Sequence, residues 1–536
     1  MAADYHHGGT AMTDTSSIPL IARAEGHRDR TAVVAPEGSF TYGELLDASA
    51  RAASSLLGGA ADLDDARVAF LAPPGIHYLA TQWGIWRAGG VAVPLAVSHP
   101  GAELEYTVDD SEAAVLAAHP MYEDRLRPIA EARGLRLLLT TALLAAEERA
   151  LPAVDVDRPA MILYTSGSTG RPKGVVTTHA ILQAQVTTLV EAWQWTAEDR
   201  ILNVLPLHHV HGIVNAMTCA LWAGATCELQ AGFDAASVWG RLEAGDLTLF
   251  MGVPTTYGAL IEAWDAASPE RRAAMSGGAA GLRLMVSGSD ALPVVTLERW
   301  KAITGQVLLE RYGMTEIGMA LSNPLHGERR PGHVGSPLPG VEVRLVRMEL
   351  DEDSGEHSHG GPAGAGSPGE IHVRGASVFR EYWRRPEATR EAFDGDGWFC
   401  SGDVASLEDG SYRIWGRASQ DIIITGGENV SAKEVEQVIA AHPDVKACAV
   451  VGIKDPYWGK AVSAVLVTRT GAEIGREALR RWARDRLAPY KIPQRVLTLD
   501  ELPVNAMGKV IKPRLVEEFD RSEHRIRVKG LKPDTR

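Results

Sequence analysis

The chain has 536 residues, 45% of them hydrophobic, and a formal charge of −14 from 54 basic and 68 acidic side chains. That length and apolar content suffice for several buried cores, while the acidic balance argues against a nucleic-acid partner, which calls for a basic field. The four cysteines, Cys219, Cys227, Cys400 and Cys448, are scattered without a CxxC pair, against a zinc or disulfide scaffold and for a reduced, cytoplasmic compartment.

No apolar run approaches the roughly twenty residues of a membrane helix. Residues 1–17 are polar and read as a disordered tail, with His6 and His7 solvated. From Ile18 onward short apolar runs alternate with amphipathic stretches, which predicts an α/β chain of βα units and parallel sheets. Residues 40–45 begin a helix with Thr41 as N-cap. Residues 67–71 read as a strand, 77–88 as a helix burying Trp83 and Trp86, and 90–95 as a buried strand.

An apolar run at 161–163 then enters Tyr164-Thr165-Ser166-Gly167-Ser168-Thr169-Gly170-Arg171-Pro172-Lys173-Gly174-Val175. Its glycines let backbone N–H groups turn toward one anion. The hydroxyls of Thr165, Ser166, Ser168 and Thr169 add donors, and Lys173 adds a positive charge. The composition suits a phosphate. It is not a Walker A loop, because Lys173 is followed by Gly174 and a β-branched run rather than by a helix-opening Ser or Thr.

Next, 201–205 reads as a strand ending at Pro206, followed by His208, His209 and His211. The histidine spacing raises a metal, but no acidic ligand or cysteine stands beside it, which argues against zinc. Residues 247–253 form a strand, Pro254 opens a helix containing Tyr257, and 282–286 lead into Ser287-Gly288-Ser289-Asp290. Residues 306–309 lead into Glu310-Arg311-Tyr312-Gly313-Met314-Thr315-Glu316. Ligands collect at the carboxyl ends of strands in open α/β sheets, so these turns face one crevice. Glu316 has the oxygen chemistry that Mg²⁺ requires.

Residues 351–368 read as a mobile surface loop. Asp403, after Ser401-Gly402, can accept two hydroxyl donors, and Arg417 closes the next strand-like run. Beyond Arg417 the pattern predicts a small α+β unit. Ser431 and Glu434 form a capping box, 449–453 and 464–467 are strands, and Leu479, Trp482, Ala483 and Leu487 make an apolar stripe. Lys509 follows Gly508 near the end.

Taken together, these motifs resemble the adenylate-forming superfamily of acyl-CoA synthetases, peptide-synthetase adenylation domains and luciferases, over most of the chain from Phe40 to Leu515. The resemblance implies a large N-terminal AMP-binding domain of βα sheets (18–418) and a small mobile α+β C-terminal domain (419–536). It implies two steps: a carboxylate and Mg·ATP give an acyl-adenylate and pyrophosphate, then the thiol of coenzyme A displaces AMP. By resemblance Thr165, Ser166, Gly167, Ser168, Thr169, Gly170 and Lys173 grip phosphates. Ser289, Glu310, Arg311, Tyr312, Gly313, Met314 and Thr315 line the nucleotide site, Asp403 and Arg417 hold ribose and phosphate, and Glu316 binds Mg²⁺.

Lys509 completes the adenylation site, in a catalytic set with Lys173, Thr315 and Glu316. His209, His211, Ala259, Ser289 and Met314 line the acyl pocket. The small domain pivots at Ser419 and presents Thr425, Gly426 and Gly427 to coenzyme A.

Residues 205–227 and 283–324 are especially similar to malonyl-CoA and methylmalonyl-CoA synthetases. Those enzymes hold the distal carboxylate with a basic residue two positions after the Tyr of Val-Pro-Thr-x-Tyr. Here that Tyr is Tyr257 and the position is Ala259. A buried carboxylate without a cation is costly, so Arg283 becomes the substitute candidate. A short- or medium-chain fatty acid stays open as the substrate, as does a carrier protein as acceptor. No Gly-x-Ser-x-Gly is present, which excludes a serine hydrolase at motif level. Oligomeric state is not legible.

Overall fold

The structure, a computed structural model, describes residues 18–165, 171–350, 357–364, 366–418, 420–425, 428–455, 458–469, 474–504 and 509–528. Two large sheets carry most of the chain. One has seven strands in the order Glu381–Tyr382, Lys173–Thr178, Pro159–Thr165, Val91–Pro94, Arg67–Leu71, Val115–Ala118, Arg136–Leu139. The other has nine, in the order Ser336–Pro337, Gly318–Ser322, Leu309–Met314, Leu284–Ser287, Leu249–Gly252, Arg200–Asn203, Thr226–Leu229, Thr31–Ala35, Gly38–Thr41.

Their central strands are parallel. Val91–Pro94, Val115–Ala118, Leu249–Gly252 and Leu284–Ser287 are buried along their whole length, as expected of strands covered by helices on both faces. The strand predicted at 247–253 is trimmed at both ends, because Val253 already serves as the N-cap residue of helix Pro254–Asp265.

Helix Tyr42–Leu57 starts as predicted, and its cap is a full box. Thr41 Oγ1 accepts the Glu44 N–H at 3.1 Å, and the Glu44 carboxylate accepts the Thr41 N–H at 2.7 Å. It packs against helix Ile76–Arg87, in which Trp83 and Trp86 are buried. Gly84 sits at the crossing, where an added Cβ would stand 2.6 Å from that of Ala52. Only a residue without a side chain lets the two helices approach this closely.

A five-stranded antiparallel sheet follows, ordered His357–Pro362, Val341–Leu350, Gly369–Gly375, Phe399–Glu408, Ser411–Arg417. It corrects the loop expected over 351–368 at residues 357–362, while 351–356 and 365 lie outside the described residues. Residues 357–362 pair antiparallel with 341–350. Backbone hydrogen bonding, not side-chain alternation, makes that strand, so no periodic signal announced it.

The C-terminal sheet joins Glu428–Ser431, Ile422–Thr425, Gly459–Thr468 and Val445–Asp455, with Arg495–Thr498 parallel to Gly459–Thr468. Leu479, Ala483 and Leu487 of the predicted stripe are buried in its core with Val450 and Val462. Only half of the predicted capping box forms. Ser431 accepts the Glu434 N–H, but the Glu434 carboxylate is taken by Lys491 at 2.7 Å. No helix among the described residues is long and apolar enough to cross a membrane. All four cysteines are unpaired.

Candidate active site

The carboxyl ends of strands Leu284–Ser287 and Leu309–Met314 lead into polar turns, as the strand-end argument requires. Strands Pro159–Thr165 and Lys173–Thr178 pair in a hairpin with Thr165 opposite Lys173. Ser166, Gly167, Ser168, Thr169 and Gly170, in the connection, lie outside the described residues. Lys173 Nζ stands 4.9 Å from the Tyr382 ring centre, and Tyr382 Oη donates to Glu316 Oε1 at 2.9 Å. Burial pushes the Glu316 carboxyl above its ordinary range, and the Tyr382 hydrogen bond opposes it. One tyrosine thus places a lysine beside a buried carboxylate.

A second constellation spans two sheets. Tyr312, on strand Leu309–Met314, donates to Asp403 Oδ2 at 2.7 Å, and Arg417 Nε lies 3.1 Å from Asp403 Oδ1. Arg417 also donates to the Ser401 carbonyl at 2.6 Å and stands opposite Asp403 in the hairpin. Burial raises the Asp403 carboxyl, and the neighbouring Arg417 cation lowers it.

The third constellation lies on the turn after strand Leu284–Ser287. Ser289 is held at φ 72° with its Oγ 3.3 Å from His211 Nδ1. Arg311 is 3% exposed, and its Nε and Nη2 have no hydrogen-bond partner among the described residues. Its guanidinium lies against Gly288, where a Cβ would come within 2.4 Å of the Arg311 Cζ. Glycine leaves the room that the guanidinium occupies. Burial pushes Arg311 down to about 9, so it stays charged at neutral pH. Burial, with the Arg311 charge nearby, holds His211 neutral.

His211 opens a π-helix, His211–Thr218; such wide turns concentrate at functional sites. The His208 and His209 ring centres lie 4.0 Å apart with the rings tilted, and His99 is 5.4 Å from His208. They do not converge as metal ligands, for the described residues hold one potential metal cluster and it lies elsewhere.

Glu310 is buried with its Oε1 accepting the Leu292 N–H at 2.8 Å, and burial raises it to about 8. It braces the 288–292 turn from behind. Gly313, Met314 and Thr315 are half-buried between Tyr312 and Glu316. Ala259 is half-buried on helix Pro254–Asp265, and Tyr257 is anchored through Oη to the Val286 carbonyl at 2.8 Å.

Arg283 does not replace the cation absent at Ala259. It is clamped to Asp199 by bonds of 2.6 and 2.7 Å and donates to the Trp193 carbonyl at 2.9 Å. It precedes the strand whose other end carries Ser289, which puts it roughly 13 Å from that turn. Among the described residues, Arg311 is a buried cation with two unpartnered nitrogens, although motif reasoning had grouped it with the nucleotide contacts. The signal available in the sequence was a lone charged pair, Glu310-Arg311, closing an apolar strand.

From the small domain, Lys433 Nζ reaches Asp290 Oδ1 at 3.0 Å, and Lys512 pairs with Asp421 and, at 3.0 Å, with Glu436. Lys509 is exposed to solvent, yet the protein crowding it still lowers its pKa, while Asp290 and Asp403 counter that effect. It therefore shares the electrostatic environment of Asp403 and Arg417. Thr425 is buried at the end of strand Ile422–Thr425. Gly426, Gly427 and Ser419 lie outside the described residues.

Residues 20–383 match the family model described as AMP-binding enzyme, and 434–509 match that of the AMP-binding enzyme C-terminal domain. The chain is similar to the mitochondrial malonate–CoA ligase ACSF3 of Mus musculus, at 46% identity covering 95% of this chain and 92% of that protein. It is also similar to the Homo sapiens counterpart, at 45% identity over 96% and 94%. The crystal structure of ATP-bound MatB from Rhodopseudomonas palustris superimposes with a TM-score of 0.83, at 35% identity over 94% of this chain and 99% of that one. With two mostly parallel sheets, a small C-terminal domain and near-complete coverage by such relatives, this protein belongs to the AMP-binding enzyme family.

Proposed function

We propose that the protein is an AMP-forming acid–thiol ligase that converts malonate, or methylmalonate, and coenzyme A to the CoA thioester at the expense of ATP. The observation that carries the choice of acid is Arg311, a buried guanidinium with two unpartnered nitrogens beside His211 and Ser289. A buried cation without a partner is costly, and a ligand carboxylate relieves that cost. An apolar acid leaves it unpaired, so the short- and medium-chain reading is disfavoured. Two relatives above 44% identity are malonate–CoA ligases, which supports the same acid.

In this reading malonate's distal carboxylate pairs with Arg311, flanked by His211 and Ser289, with His209 and Met314 on the side of the reacting carboxylate. Asp403 accepts the ribose hydroxyls and Tyr312 braces it. Lys173, Lys509 and Arg417 stabilise the charge that develops around the α-phosphate. Glu316 fits a magnesium site, being a buried carboxylate beside Lys173 where phosphates supply the remaining oxygens; the ion would neutralise phosphate charge. Thr165 to Gly170 cradle the outer phosphates, and Thr425, Gly426 and Gly427 border the pantetheine path after the small domain turns about Ser419. The unpaired cysteines suit a reducing compartment such as the cytoplasm.

The test is ATP-dependent AMP release with coenzyme A against malonate, methylmalonate, acetate, butyrate and octanoate. Preference for the dicarboxylates supports the reading, and preference for butyrate or octanoate overturns it. Malonate-dependent AMP release that proceeds without coenzyme A but requires a carrier protein moves the acceptor, not the acid.

A further inference from the structure

A second polar cluster lies away from the crevice, on the antiparallel sheet. Glu370 and His372 are two residues apart on strand Gly369–Gly375 and so point to one face. Cys400, on strand Phe399–Glu408, stands directly opposite His372. One donor atom from each of the three lies within 4.8 Å of the other two. His372 is 1% exposed and Glu370 7%.

Asp394 brings Oδ2 to 3.2 Å from His372 Nδ1, and Arg344 also donates to that carboxylate. Glu370 Oε1 is 3.9 Å from His372 Nε2, and it accepts the Gly402 N–H at 2.9 Å.

This is not how a structural cysteine is ordinarily housed. A buried thiol packs among apolar groups; here it sits beside an imidazole with two carboxylates nearby. As a thiolate, Cys400 together with Glu370 and Asp394 would carry three negative charges, which Arg344 and, farther off, Arg374 offset only in part from the Asp394 side. A divalent cation balances the difference.

Cys400 Sγ lies 3.9 Å from His372 Nδ1, the nitrogen that Asp394 also approaches, while Nε2 faces Glu370. Sulfur and imidazole donors select zinc-like ions over magnesium. Tetrahedral zinc separates its donors by roughly 3.3 to 3.8 Å, so the side chains need to close by up to about 1 to 1.5 Å.

We propose that Glu370, His372 and Cys400 form a binding site for one zinc-class divalent ion, with Asp394 at its edge beside the histidine. On binding, the ion forms a bond to Cys400 Sγ and the thiol proton leaves to solvent, with no change of oxidation state. Affinity therefore rises with pH. Glu370 holds the backbone of Gly402, one residue before Asp403, so the ion braces the strand that carries the ribose-side carboxylate.

The experiment strips the full-length protein with EDTA, dialyses it against micromolar Zn²⁺ and counts bound metal by mass spectrometry, then repeats with Co²⁺ and records the absorption spectrum. One equivalent of zinc is expected, with a thiolate-to-cobalt charge-transfer band. Cys400→Ser and His372→Ala should each weaken binding by at least about ten-fold, while Cys448→Ser keeps the ion and the band. No bound zinc, cobalt bound without the band, or full binding in Cys400→Ser overturns the site. Where a variant fails to fold, the band in the unmutated protein and in Cys448→Ser decides alone. The readout is independent of which acid the enzyme activates.

Discussion

Arg311 is the side chain whose placement matters most for the substrate. Buried, with two nitrogens unpartnered among the described residues, it should lose the proposed charge-assisted pair with the substrate carboxylate when truncated, about 2 to 4 kcal/mol or roughly 30- to 1000-fold in kcat/KM. Arg311→Met is therefore expected to depress malonate turnover by that factor while leaving butyrate unchanged or improved. Equal losses for both acids would remove the carboxylate clamp. A second residue reports on stability. His179 is buried against Trp86, and burial pushes it down to about 3 from an ordinary 6.5.

The unfolded chain takes up a proton at His179 below about pH 6.5 and the folded chain does not, so stability falls as pH drops, by about 1.4 kcal/mol per unit. Urea midpoints at pH 7 and pH 5 should differ less in His179→Gln than in the unmodified protein. Of these two, the sequence showed only the residue types. The burial of His179 and the isolation of Arg311 come from neighbours far away in the chain.

Among the elements, local chemistry was legible where the partner lies within one turn. Thr41 and Glu44 announce a helix start, and both reciprocal hydrogen bonds form. Thr41→Ala should cost about 1 kcal/mol in denaturant midpoint without altering KM for any substrate. Ser431 and Glu434 show the limit of the same reasoning, because Lys491, 57 residues away, captures the glutamate. The π-helix His211–Thr218 and the strand at 357–362 were not legible either. The first reads as an ordinary apolar run and the second as a Gly-rich loop, since what defines them is hydrogen-bond register rather than side-chain pattern.

At the scale of the whole molecule, the small domain is held against the large one by Lys433 and Asp290 and brings Lys509 to the neighbourhood of Asp403. On the proposed function, this arrangement belongs to the adenylation step. Lys509→Ala should abolish pyrophosphate exchange while sparing thioester formation from supplied acyl-adenylate; equal loss of both half-reactions would contradict that division. Asp290→Asn removes the interdomain ion pair but keeps Lys509, and is expected to slow pyrophosphate exchange several-fold without loss of thermal stability in the large domain.

The sequence by itself determined the chemistry on offer: a hydroxyl- and glycine-rich loop with Lys173, carboxylates Glu316 and Asp403 after strand-like runs, and a lysine near the C-terminus. These are properties of residue type and short spacing, which a chain carries before it folds. Only the tertiary structure decided which charges are spent and which are available. Arg283 and Arg311 are both arginines at strand ends, yet Asp199 neutralises the first while the second is buried with two nitrogens unpaired. The difference arises because parallel strands order residues by sheet position rather than by sequence, so a cation's partner, or its lack of one, is set across the sheet.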